Sequence, residues 1–378
     1  MDPIYLDYNA TTPIDDQVAR AMMPYITEHF GNPSSKHEYG RVTWEAVEMA
    51  RWQVSKLLRC QPEEVVFTSG GTESNNYAII GAALANREKG SHIITSAIEH
   101  PAVTEVCRYL EGNGFSVTYL PVDQHGLVDV GQVEDAITDQ TILISVMHAN
   151  NEVGTIQPIR KIAQAARQRG ILMHTDAAQS LGKIPAQVDD LGVDLLSVAG
   201  HKLYAPKGVG ALYIRDGVKL QKLIHGANHE SGRRAGTENV ILTVALGEAA
   251  VIAEQQLDQY TSHMKEMRDK LEQALQKKIP GLRLNGHPEK RLPNTCSVGF
   301  PGVIATRLLA AMQDVAASPG AACHSDGSVT SAVLTAMGVA PEIAAGTIRF
   351  SVGRHTIAEE IDQAVESIVN ALEMVKSR

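Results

Sequence analysis

The chain has 378 residues, 34 Lys plus Arg against 43 Asp plus Glu, a formal charge of −9, and 44% hydrophobic residues. This is globular composition rather than disorder, and at roughly 150 residues per domain it is long enough for two or three domains with a large core. An acidic balance without a Lys/Arg block sets aside nucleic acid and anionic membranes as main partners and favours a small molecule.

Met1 to Thr12 shows no basic, apolar leader, and no run approaches the roughly 20 apolar residues that span a bilayer, so a cytoplasmic protein is expected. Apolar runs of strand length follow at Val65–Thr68, His92–Ser96, Val117–Leu120, Ile142–Met147, Ile171–His174, Leu195–Val198 and Gly210–Ile214. Between them, Glu73–Arg87, Ala102–Glu111 and Ile159–Arg169 repeat apolar residues at three and four, the helical period. Strand–helix alternation predicts a mostly parallel sheet covered by helices, with ligands beyond the strand C-termini. Val240 to Lys278, free of Pro, reads as one long helix. Beyond it, Thr295–Phe300, Ile304–Met312, Thr347–Ser351 and Ile357–Val375 predict a smaller α/β domain. The expected division is a large domain at 15–258 and a small one formed by 1–14 and 259–378.

Chemistry is sought where strands end. Ser69-Gly70-Gly71-Thr72-Glu73 opens a helix after the first strong strand, which suits either a phosphate on free N–H groups or an ordinary glycine turn. His100 and His148 follow two further strands, and either histidine could cap a turn. Asp176 at the end of another strand is a carboxylate in apolar surroundings that needs a cationic or N–H partner. Lys202, in Gly200-His201-Lys202, is a Schiff-base candidate, because partial desolvation frees its amine. The Asp176-to-Lys202 spacing is one strand–helix–strand step. With a glycine-rich helix start and a histidine to stack on a ring, the set describes a pyridoxal-phosphate site. Cys60, Cys107, Cys296 and Cys323 lack CxxC spacing, so no disulfide framework, zinc site or other metal is expected. The first three read as core residues. Cys323 lies in a breaker-rich stretch, Ala317 to Gly327, either an incidental loop cysteine or a thiol that visits a site.

In order along the chain, Tyr5-Leu6-Asp7-Tyr8-Asn9-Ala10-Thr11-Thr12-Pro13, Phe67 to Asn75, Glu99-His100, His174 to Gln179, Gly200-His201-Lys202, Arg234 to Thr237 and Arg349 to Arg354 resemble the NifS/IscS cysteine desulfurases of the class V aminotransferase group. That resemblance implies the aspartate-aminotransferase fold (fold type I of the pyridoxal-phosphate transferases) and conversion of L-cysteine to L-alanine with a persulfide on Cys323, supplying sulfur for Fe-S clusters or other sulfur transfer. It implies that Lys202 links pyridoxal 5′-phosphate, Asp176 pairs with the ring nitrogen, Gln179 bonds the phenolate oxygen, and His100 stacks on the ring and moves protons. Gly71, Thr72 and His201 hold the phosphate, with Thr237 contributed by the second subunit of a homodimer. The resemblance also implies that Asn151 and Arg349 hold the substrate carboxylate and that Asn151 contacts the cofactor as well. A sulfur-acceptor or scaffold protein is the implied partner. Ala199 stands where the family usually has Ser, and Asn228 interrupts its usual Gly-Gly-Gly. Gly320-Ala321-Ala322-Cys323-His324-Ser325-Asp326 is similar to the nucleophile loop of selenocysteine lyases, which makes L-selenocysteine the alternative substrate; an aminotransferase or another class V lyase is the next alternative, and a transaminase would not need Cys323.

Overall fold

Strands that are apolar on both faces must be covered on both faces, and the covering helices come from the connections between parallel strands. The computed structural model describes residues 3–320 and 331–377. After the short strand β1 (Ile4–Tyr5), helices α1 (Asp16–Thr27) and α2 (Glu38–Leu58) precede an alternation. It runs β2 (Val65–Thr68), α3 (Gly71–Ala85), β3 (His92–Ser96), α4 (Pro101–Glu111), β4 (Ser116–Leu120), α5 (Val130–Ala136), β5 (Thr141–Ser145), α6 (Ile159–Gln168), β6 (Leu172–Asp176), α7 (Val188–Leu191), β7 (Leu195–Ala199) and β8 (Gly210–Ile214). Helix α8 (Val240–Lys278) leads to β9 (Arg283–Asn285), β10 (Thr295–Gly299), α9 (Ala305–Ala311), β11 (Val315–Ala316), β12 (Ser318–Pro319), α10 (Ala332–Ala336), α11 (Pro341–Ala345), β13 (Thr347–Ser351) and α12 (Ala358–Lys376).

The central sheet has the order β2-β8-β7-β6-β5-β3-β4. Only β8 runs against its neighbours, pairing antiparallel with β2 and β7, so the sheet is mostly parallel as expected. Alternate residues feed opposite layers: Val65 and Phe67 join α2, α6 and the first half of α8, while Val66 joins Tyr77, Val103 and Leu110 of α3 and α4. Strand β6 extends two residues past the predicted end at His174, because Thr175 and Asp176 pair with Leu196 and Ser197.

A second, antiparallel sheet, β12-β13-β10-β9, carries its own core, with Leu6, Phe300, Phe350, Ile361 and Ile368. Helix α8 is shared: Ala245 to Ala253 are buried in the first core and Met264 to Leu275 in the second. The amino-terminal segment joins the smaller body, where Ile4 and Tyr5 pair with Val315 and Ala316. By length and composition α8 could cross a membrane, unlike the expectation that no segment could, yet its apolar residues are used in these cores against α1 and α2. Cys107 and Cys296 are buried core residues, but Cys60 lies just beyond α2, after left-handed Arg59. Burial pushes all three thiols up to about 12. Cys323 lies outside the described residues.

Arg51, within α2, is buried and forks onto Glu230 at 2.7 and 3.0 Å, and Glu230 also accepts from the Phe67 N–H at 3.0 Å. This ties α2 to the loop before α8 and to β2. Arg51→Met leaves a buried carboxylate without its cation and should cost about 3–5 kcal/mol, read as a lowered midpoint in denaturant unfolding. An unchanged midpoint would show that the pair contributes nothing net.

Candidate active site

The parallel strands end on one edge of the sheet, and their following residues surround a cavity of about 390 Å³, within the roughly 300–1,000 Å³ usual for small-molecule sites. Gly71, Thr72, His100, Asn151, Asp176, Gln179, His201, Lys202 and Arg349 line it together, although they come from both bodies of the fold. Thr237 is not brought to this cavity: it is exposed in the loop before α8. His148 also lies elsewhere, buried with its Nδ1 2.9 Å from Ser180 Oγ, and burial lowers its pKa to about 4.

Asp176 closes β6 and is only 7% exposed. Its two oxygens accept from Asn75 Nδ2 at 2.7 Å and from the Ala178 N–H at 2.9 Å, two neutral donors that hold the carboxylate in place without neutralising it. Lys202 follows β7, the neighbouring strand, so one inter-strand step separates the two groups. Its Nζ donates to the carbonyls of Asn9 and Ala10. Burial, reinforced by Arg349 and opposed by Asp7 and Asp176, pushes the Lys202 amine down to about 8, which raises the fraction present as a nucleophile near neutrality. His100 caps α4, its Nδ1 accepting from the Ala102 N–H at 3.1 Å, which leaves Nε2 to carry the ring proton. Burial, with Lys202 nearby and against the pull of Asp176, lowers its pKa. The carboxyl of the preceding residue, Glu99, is buried and pushed up to about 8 while accepting from Ser96 Oγ and the Met147 N–H.

At the start of α3, Gly70 has φ +149°, a conformation that favours glycine, and a Cβ on Gly71 would come within 3.1 Å of Ala199 Cβ. The helix therefore begins close against β7, with its first N–H groups at the cavity. His201 stands beside it with Nδ1 3.1 Å from Thr11 Oγ1, and burial helped by Lys202 and Lys207 lowers its pKa to about 4. A glycine-backed cradle of N–H donors, a neutral imidazole and the Thr72 hydroxyl form a donor set suited to a phosphate. On the small body, Arg349 of β13 is held by Asp7 Oδ1 at 2.8 Å and the Asn151 carbonyl at 3.0 Å, and its buried Nε has no partner among the described residues. A carboxylate would meet a guanidinium that is already oriented.

Asn9 and Asn75 were not assigned roles from the sequence. Asn75 lies one helical turn beyond Gly71 on the same face of α3, a spacing that signals a shared target. Asn9 has no such signal, since its partners are distant in the chain.

The chain matches the model of the family described as aminotransferase class-V over residues 4–364. It is 47% identical over 376 residues to a cysteine desulfurase IscS of Methanosarcina thermophila, covering 99% of this chain and 93% of that one. Identity to the cysteine desulfurase IscS of Dictyoglomus turgidum is 46%, with 99% and 95% covered. Among solved structures, a NifS-like protein superposes with TM-score 0.93 at 38% identity, covering 98% of this chain and all of that one. A structure described as SspA in complex with cysteine superposes with TM-score 0.83 at 38% identity, covering 93% and 99%. With its mostly parallel sheet, its shared helix α8 and a match that runs nearly end to end, the chain belongs to the class-V aminotransferase family.

Proposed function

We propose that this protein is a pyridoxal-phosphate-dependent cysteine desulfurase that converts L-cysteine to L-alanine and leaves the sulfur as a persulfide on Cys323. The observation that carries the reading is the meeting of Lys202, Asp176, His100 and Arg349 in the lining of one cavity. Its cysteine desulfurase relatives and the cysteine complex of a similar structure support the substrate.

Pyridoxal phosphate, when bound, supplies an electron sink for the bond electrons released at the substrate Cα. Lys202 would hold it through its amine and would serve as the base for the substrate Cα proton. Asp176 keeps the proton on the ring nitrogen, Gln179 donates to the phenolate oxygen, and Gly71, Thr72 and His201 hold the phosphate, with Thr237 reaching in from a second copy of the chain. His100 would stack on the ring and would exchange protons through Nε2, its Nδ1 being engaged by the Ala102 N–H. Arg349 and Asn151 hold the substrate carboxylate. The Cys323 thiolate attacks the substrate sulfur, the carbon–sulfur bond breaks, and its electron pair returns to carbon, which is protonated to alanine. The residues flanking the Cys323 segment support this: Ser318 pairs with Arg349, and Ser331 Oγ donates to Glu152 beside Asn151 at 2.5 Å. The persulfide then passes to an acceptor or scaffold protein serving Fe-S clusters or another sulfur-transfer route, and we place the enzyme in the cytoplasm. The stretch around Cys323 also favours a second reading, selenocysteine lyase activity in the same site.

Because cofactor loading needs the neutral amine, its rate in cofactor-free protein should rise with pH to a plateau with a midpoint near 8. Borohydride reduction followed by peptide mapping should label Lys202, and a label on another lysine sinks the assignment. Cys323→Ala should abolish alanine formation from L-cysteine, since an unperturbed thiol of pKa about 8.5 leaves poorly without nucleophilic attack. The same variant should keep activity on L-selenocysteine, whose selenol is more acidic. Full turnover of cysteine by the variant would refute the persulfide route.

A further inference from the structure

Lys183 has no place in the chemistry just described, yet it is only 4% exposed and lies one turn beyond Gln179 in the segment after β6. Its Nζ donates to Gln179 Oε1 at 3.0 Å and to Asn9 Oδ1 at 3.2 Å, and among the described residues no carboxylate is its partner. A buried ammonium held only by neutral oxygens is costly, and the surroundings add to that cost. The titratable and charged groups that face it are Lys202 after β7, Arg349 of β13, Arg354 beyond that strand, and the phenols of Tyr8, Tyr204 and Tyr260. Arg349 and Arg354 have their own carboxylates in Asp7 and Asp15. Burial, with Lys202 and Arg349, pushes the Lys183 amine well below the ordinary lysine range. A neutral amine has two N–H groups, which matches the two oxygens it meets.

The consequence falls on Gln179. A side-chain amide has two ends of nearly equal shape, one donating and one accepting, and only its neighbours decide which way it turns. Lys183 engages Oε1, while Nε2 donates to the Asn9 carbonyl at 3.0 Å and keeps one N–H for the cavity that Gln179 lines. That carbonyl also accepts from Lys202, so the amide is held at both ends, Nε2 by Asn9 and Oε1 by Lys183, and Lys183 is the group that engages the oxygen. We propose that Lys183 is a positioning residue: from behind the cavity it locks the Gln179 amide, and the Asn9 side chain with it, so that Gln179 presents N–H rather than C=O to the phenolate oxygen of the cofactor. This rests on the pyridoxal-phosphate reading above.

A donor on a phenolate oxygen stabilises its charge and lowers the proton affinity of the lysine-linked chromophore, so losing it raises the pH midpoint of the visible band. The full-length protein is loaded with pyridoxal phosphate and titrated by absorption, with thermal midpoints of the cofactor-free proteins reporting folding. Lys183→Met should move the band's midpoint up by about one pH unit, a roughly tenfold change in proton affinity. Gln179→Leu should move it as far, and the double variant no further, because both remove the same hydrogen bond. Lys183→Arg, which keeps N–H donors, should titrate like wild type, and it decides the matter if Lys183→Met does not fold. A wild-type midpoint in Lys183→Met, additive shifts in the double variant, or an upward shift in Lys183→Arg overturns the proposal. Absence of the band in the wild-type protein would instead reject the cofactor reading itself.

Discussion

Asn9 is 1% exposed, and the arrangement of the site depends on its hydrogen bonds. Its Nδ2 donates to the Asn151 carbonyl and Thr295 Oγ1, and its Oδ1 accepts from Lys183 and from Asn294 Nδ2. Its backbone N–H donates to Ser351 Oγ, and its carbonyl accepts from Gln179 and Lys202. A side-chain amide has four hydrogen-bonding sites, and all four are used. Three separate parts of the chain meet there: the amino-terminal segment, the loops after β5, β6 and β7, and strands β10 and β13. Arg349 sits two residues before Ser351, so the guanidinium on one body is brought into register with Asp176 and Lys202 on the other. Without such a junction the two sheets would have to be aligned by apolar contact alone, which is non-directional.

Charge is distributed to match. Arg349 and Arg354 are each tethered by an aspartate from the amino-terminal segment, Asp7 and Asp15, and Arg354 also stacks over Tyr204 at 3.8 Å. Among the described residues, Lys202 has no carboxylate among its hydrogen-bond partners. Lys202 and Arg349 both line the cavity, and their charge favours anionic ligands such as a phosphate or an α-carboxylate.

Strands β2, β3, β8 and β13 were legible because a strand buried on both faces is apolar on both sides and ends at punctuation, and each begins and ends where the pattern changes. The ends of α8 were equally clear, since no Pro or Gly cluster interrupts it. Helices α1 and α2 were not read, and α2 shows why: Trp44, Met49 and Trp52 are exposed while Arg51 is buried, which inverts the expected stripe. Strands β1, β11 and β12 have two residues each and exist only through their pairing partners, so no local period announces them. The same division holds in the site. Lys202 and Asp176 stand out because a charge at a strand end demands a reason. Asn9 and Lys183 become meaningful only once segments hundreds of residues apart, or the far side of a turn, are brought against them.

Helix α8 has 39 residues and is about 58 Å long at 1.5 Å per residue. Its first half is a wall of one core and its second half a wall of the other. Melting either core strips the packing from half of the rod, and a helix half without its apolar contacts is marginal in water. The bodies are thus thermodynamically coupled through a shared wall rather than through a flexible connector. Heat or denaturant should find one cooperative unit, with loss of the small sheet dragging the core of the large sheet down with it.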